Sequence, residues 1–146
     1  MLVAALLTDP EARVRVAAAL HGHAELHCCR RVLDLLSTVA HRHVDGVVVE
    51  PWDEMGISTA PTVRRLRRNQ PSLPILVCCR LDETTARPIV ALARAGADDV
   101  IRPDHGDIGL QLRQRFILAG TARAAGQVLS ELAPLLPPTV EPIVAY

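Results

Sequence analysis

The 146 residues carry no net formal charge, with sixteen basic side chains against sixteen acidic ones, and 49% of them are hydrophobic. That balance excludes a chain built for broad electrostatic attraction to nucleic acid or to an anionic membrane, while the length allows one domain with a substantial core. Every basic residue is arginine, so Schiff-base and P-loop lysine chemistry are excluded as well.

Leu2 to Leu7 reads as a first buried strand. No basic region precedes it, and no apolar run is long enough to span a bilayer. Asp9-Pro10-Glu11 is a helix start, with an N-cap acid, proline at the first position and an acid in the first turn. Val14, Ala17, Ala18 and Leu20 are assigned to the buried stripe of this helix, and Gly22 ends it. Ala24 to Cys28 is a short second strand. Val32, Leu35, Leu36 and Val39 then recur at helical spacing. In Asp45-Gly46-Val47-Val48-Val49-Glu50, three β-branched residues make a strand buried on both faces, and Glu50 lands at the sheet's carboxyl edge.

Pro51 to Gly56 is a loop and Ser58 to Asn69 a third helix. Gln70 to Pro74 turns the chain into a fourth strand, Ile75 to Cys79. After a polar connection from Arg80 to Arg87, Ile89, Leu92 and Ala93 pack a helix that stops at Gly96. Asp99-Val100-Ile101 is a fifth strand. Such strict alternation predicts an α/β protein with a parallel sheet covered on both faces. The last helix starts near Asp107, with Ile108, Leu112, Phe116 and Ala119 facing the sheet. Gly120 and Gly126 are potential breaks before Val128, Leu129 and Leu132, and Pro134, Pro137, Pro138 and Pro142 read as a linker reaching to Tyr146. The expected division is a domain over 1–119, and over 120–146 a C-terminal helix and proline-rich linker to an output domain outside this sequence.

These segments resemble the receiver domain of two-component response regulators, the flavodoxin-like (βα)5 fold with strand order 2-1-3-4-5. The match runs from about Leu2 to Ala119 and is most specific at Ala95-Gly96-Ala97-Asp98-Asp99-Val100-Ile101-Arg102-Pro103. That segment is similar to the family's Gly-Ala-Asp-Asp stretch leading to Lys-Pro. The departures fall on the active site. Leu7 and Thr8 stand where the family has two Mg²⁺-holding acids, with only Asp9 nearby. Glu50 replaces the phosphoacceptor aspartate, Cys79 the switch hydroxyl and Arg102 the lysine. Mg²⁺ needs several hard oxygen ligands, so the resemblance implies a degenerate pseudo-receiver that acts without phosphorylation, metal or cofactor. Two states of the site are open: a Glu50–Arg102 pair freezing one switch state, or a decayed pocket with both groups solvated. Trp52 either caps the site or covers loop surface.

The family's dimer face maps onto Ile89, Leu92, Arg113, Phe116 and Ile117, so a homodimer is expected. The C-terminal part is similar to the segment that follows atypical receivers in transcription factors with AraC-type helix-turn-helix domains. That implies a DNA-binding output domain, no nucleic-acid contact by these residues themselves, and a cytoplasmic, non-enzymatic regulator. Two rival classes remain. His21, His23 and His27 near Cys28 and Cys29, with His41 and His43 beyond, suit a metal sensor, and Cys79 beside Arg80 suits a thiol sensor. A small-molecule-binding flavodoxin-like domain would instead show a pocket near Glu50 and Trp52. The four cysteines form two adjacent pairs that cannot build a disulfide framework. Arg64-Arg65-Leu66-Arg67-Arg68 reads as a solvated helix face.

Overall fold

A computed structural model describes residues 1–135. The order of elements is β1 (Leu2–Leu6), α1 (Pro10–Leu20), β2 (Glu25–Cys29), α2 (Val32–His41), β3 (Gly46–Val49), α3 (Ala60–Asn69), β4 (Ile75–Cys78), α4 (Ala86–Ala95), β5 (Asp99–Ile101) and α5 (Ile108–Leu132). A short 3-10 turn over Ala133–Leu135 follows α5. The strands form one parallel five-stranded sheet in the order β2-β1-β3-β4-β5, as the sequence predicts. No helix of the described residues is long and apolar enough to cross a membrane. The expected linker prolines Pro137, Pro138 and Pro142 lie outside the described residues.

Alternation along the strands divides the core in two. Ala4, Leu6, Val47, Val49, Ile75 and Val77 face α2, α3 and α4. Val3, Ala5, Leu7, Val48, Leu76 and Cys78 face α1 and α5. Ile108, Leu112, Phe116 and Ala119 are all buried, so the sheet-facing stripe of α5 is the expected one. Gly46 sits directly beneath Phe116: a Cβ there would come within 2.4 Å of the ring. The glycine is therefore the floor on which the only phenylalanine lies.

The periodicity is misread in α1. Ala12, Val16 and Leu20 are its buried face, whereas Val14 is 69% exposed and Ala17 and Ala18 also face solvent. Nor do Gly120 and Gly126 break α5, which runs unbroken through both.

The amino-terminal edge of the sheet is closed twice by the same device. Asp45 precedes β3; its Oδ2 accepts from Leu2 N at 2.7 Å, while its own N donates to Leu2 O. Asp98 precedes β5 and does the same with Ile75 of β4, at 2.8 Å in both directions. Each aspartate satisfies a strand's first N–H and sets the register of a parallel pair. Arg67, expected in a solvated run, belongs to this machinery. Its guanidinium donates to Gly96 O, Leu73 O, Pro71 O and Asp98 Oδ2. Gly96, at φ 120°, is both the C-cap of α4 and the place where that side chain lies against the backbone. From α5, Arg123 Nε reaches Asp98 Oδ1 at 2.8 Å, tying the helix beyond residue 119 to the domain.

Candidate functional site

β1, β3 and β4 bring their carboxyl ends together, and with them Leu7, Thr8, Asp9, Glu50 and Cys79. Glu50 Oε1 accepts from Thr8 N at 2.6 Å and from Asp9 N at 3.1 Å; Thr8 Oγ1 makes a long 3.5 Å contact to Oε2. The carboxylate thus lies over two successive N–H groups in the turn that leads into α1, where the helix dipole favours negative charge. Its backbone is fixed as well: Glu50 N donates to Leu6 O, and the fully buried Thr59 donates its hydroxyl to Glu50 O at 2.6 Å.

Burial pushes the Glu50 carboxyl above its ordinary value of 4.5, and the N–H groups of Asp9 and Thr8 only partly counter this. The folded chain therefore holds the Glu50 proton more tightly than the unfolded chain. Between the two values the native state binds more protons, so the Glu50 contribution makes stability fall as pH rises through that window. Glu50→Gln is expected to flatten this segment of the stability curve. Urea unfolding of both proteins from acid to neutral pH checks it; parallel curves would contradict the stated environment.

The Glu50–Arg102 pair is not formed. Among the described residues Glu50 has no cationic partner, and the contacts of its carboxylate are those to Thr8 and Asp9. Arg102 is half-buried, its N donates to Gln111 Oε1, and its Nε is buried without a partner. The physical reason is that the extra methylene of glutamate lets the carboxylate fold onto the adjacent turn, where preplaced backbone donors compete better than a side chain across the edge.

The residues present do not fit Mg²⁺. Leu7 is a fully buried hydrocarbon, Asp9 Oδ1 accepts from Glu11 N as the cap of α1, and Glu50 is committed as described. Among the described residues, no three His, Cys, Asp or Glu side chains converge to hold a metal ion. This also removes the histidine and cysteine metal site. A magnesium-loaded phosphoryl transfer needs that charge neutralisation at the reacting oxygens.

Three alternatives that the sequence leaves open are not what the structure favours. Trp52 does not cap the site: it pairs with Ser58 as an antiparallel bridge, 37% exposed, in a small hairpin whose turn is held by Asp53 accepting from Met55 N and Ile57 N. Glu50 and Trp52 line none of the main cavities among the described residues; the one beside Asp9 is about 10 Å³, lined by Asp9, Glu11, Ala12, Arg15, Arg80, Pro103 and Asp104, room for about one water. Cys79 is not a poised thiol. It is buried, as is Cys78, and burial raises the two to about 11 and about 12. With all four thiols free, native-state alkylation is expected to label the exposed Cys28 first, and Cys29, Cys78 and Cys79 only on unfolding. Peptide mapping after brief iodoacetamide treatment checks this; early modification of Cys79 would contradict it.

Of the expected dimer residues, Leu92 and Phe116 are core, 0% and 5% exposed, because both helices turn their i, i+4 stripes onto the sheet. Ile89 is half-buried against the core, while Arg113 and Ile117 face solvent.

No family model and no curated protein matches the chain in sequence. Solved structures do. NtrX from Brucella abortus superposes with a TM-score of 0.72 at 17% identity, over 90% of this chain and 29% of that one. The signal receiver domain of an HD domain-containing protein from Pseudomonas fluorescens Pf-5 gives 0.71 at 16% identity, over 86% and 90%. That of a signal transduction histidine kinase from Syntrophus aciditrophicus gives 0.67 at 11%, over 99% and 97%. The chain shares with these domains the flavodoxin-like receiver fold. It spans less than a third of the NtrX chain and nearly the full length of the two isolated receiver domains.

Proposed function

We propose that this chain is a receiver-like regulatory domain that works without phosphorylation, has no catalytic activity of its own, and passes its state to an output domain through α5. The observation that carries the reading is the Glu50 carboxylate, held by Thr8 N and Asp9 N where the resemblance puts a phosphoacceptor. An anion is built in, and among the described residues no ligand set for the charge-neutralising cation stands beside it. Incubation with Mg²⁺ and acetyl phosphate, followed by intact mass measurement, is the test: the expected result is no phosphoryl adduct. An adduct mapped to Glu50 or Asp9 would overturn the reading.

The same proposal includes a homodimer in the cytoplasm and, following the resemblance, a DNA-binding output domain of the AraC type. With Leu92 and Phe116 buried, its face is the outer side of α5, where Leu110, Ile117 and Leu118 are exposed, together with Val90 of α4. A monomer by light scattering at high concentration would contradict the dimer.

A further inference from the structure

Ala24, Leu26 and Cys28 alternate at β2 and so lie toward one face of the edge strand. α1 covers that face only in part: Ala24 and Leu26 are half-buried and Cys28 is exposed. Gly109 at the start of α5 has no side chain, and a Cβ there would lie 3.4 Å from Ala19 O and 3.7 Å from Ala19 Cβ. The close approach draws α1 onto α5, and its Ala12–Val16–Leu20 face follows. Val14 and Ala17 are left facing β2 across an open groove of about 640 Å³, with Leu26 and Cys28 among its lining.

The groove is basic as well as apolar. Arg13 lies near the first turn of α1 and Arg30 directly after β2, so both belong to the end nearer the sheet's carboxyl edge; His21 is at the other end. No acidic side chain lines it. Neither arginine has an ion-pair partner among the described residues, so both guanidinium charges are uncompensated by an acid. Arg13 Nε is buried without a hydrogen-bond partner. A buried donor of this kind is costly unless something accepts from it.

Cavities of this size, mainly apolar with a few charged groups at one end, suit small ligands. We propose that the groove binds a small organic carboxylic acid, its apolar body lying on Val14, Ala17 and Leu26 and its carboxylate between Arg13 and Arg30. The chemistry follows from the lining: guanidinium groups pair with carboxylates by two parallel hydrogen bonds, and the alkyl walls favour a hydrocarbon over a sugar or nucleotide. This site stands apart from the reading of Glu50, and either can fail without the other.

The test uses cis-parinaric acid, whose fluorescence rises in an apolar site, beside its uncharged methyl ester. The acid is expected to bind saturably at one site per chain and to slow alkylation of Cys28. Arg13→Ala with Arg30→Ala is expected to weaken the acid by about tenfold or more while leaving the ester unchanged. Ala17→Trp, at an exposed helix position and with its fold checked by circular dichroism, fills the groove and is expected to abolish both. Binding that survives Ala17→Trp overturns the proposal, as does an equal loss of acid and ester in the arginine variant. No saturable binding by the native chain also overturns it and leaves the groove to a polypeptide partner.

Discussion

Asp98→Ala is expected to lower the unfolding free energy by about 3 kcal/mol, because it leaves the largely buried Arg67 guanidinium without its countercharge. The carboxylate is 11% exposed and accepts from Arg67, Arg123 and Ile75 N together. Without it, Arg67 keeps its carbonyl acceptors but loses its countercharge, and the first N–H of β4 loses its partner. Asp98→Asn retains an acceptor and is expected to cost less. Arg123→Ala removes a guanidinium that is 32% exposed, for which about 1 kcal/mol is the expected scale. Urea midpoints at unchanged slope check the series. A loss below about 1 kcal/mol for Asp98→Ala would mean the cluster is a surface ion pair and not a core element.

Phe116→Ala is expected to cost about 3 to 5 kcal/mol, the range for emptying an aromatic site in a packed core. The ring is 5% exposed and lies on Gly46. The reciprocal change is also destabilising: Gly46→Ala places a methyl within 2.4 Å of the ring, an overpacking worth about 1 to 3 kcal/mol. Because the two sites touch, their effects are not additive. Gly46→Ala combined with Phe116→Leu is expected to cost less than the sum of its parts. Additive losses would contradict the contact. A Phe116→Ala variant that unfolds like the parent but fails to dimerise would return Phe116 to the interface where the resemblance placed it.

β1, β3 and β4 were legible because they are short apolar runs buried on both faces, whereas the edge strands β2 and β5 keep exposed positions and were placed by the alternation of strand and helix. The sheet-facing side of α5 was legible from spacing: Ile108, Leu112 and Phe116 recur every four residues, and the polar run Arg113-Gln114-Arg115 sets the helical phase although Leu110, Ile117 and Leu118 are apolar and exposed. In α1 it is not. From Val14 to Leu20 only Arg15 is polar, and the phase is decided by the approach of Ala19 to Gly109, a tertiary contact that no local period encodes. The groove beside β2 was missed with it. Asp45 and Asp98 were noted only as parts of their segments and Arg67 only in a run read as solvated, so their structural roles were missed for a different reason. Their partners are backbone groups at strand and helix ends, which every sequence contains. The repeated pattern of an aspartate immediately before a buried strand was the available signal. Glu50 was correctly placed at the sheet edge, but its partners are again backbone N–H groups, and a search for a side-chain partner pointed to Arg102.

Trp52 is the chain's only tryptophan and follows Glu50 by two residues, which makes its fluorescence a direct reporter on this edge. The deciding measurement is a titration with beryllofluoride, an analogue of the phosphoryl group, in the presence and absence of Mg²⁺. With Glu50 held by Thr8 and Asp9 and no cation site beside it, the Trp52 signal is expected to stay flat in both. A saturable, Mg²⁺-dependent change would show that the edge still assembles an acidic metal site, and the phosphorylation-independent reading would be wrong at its centre.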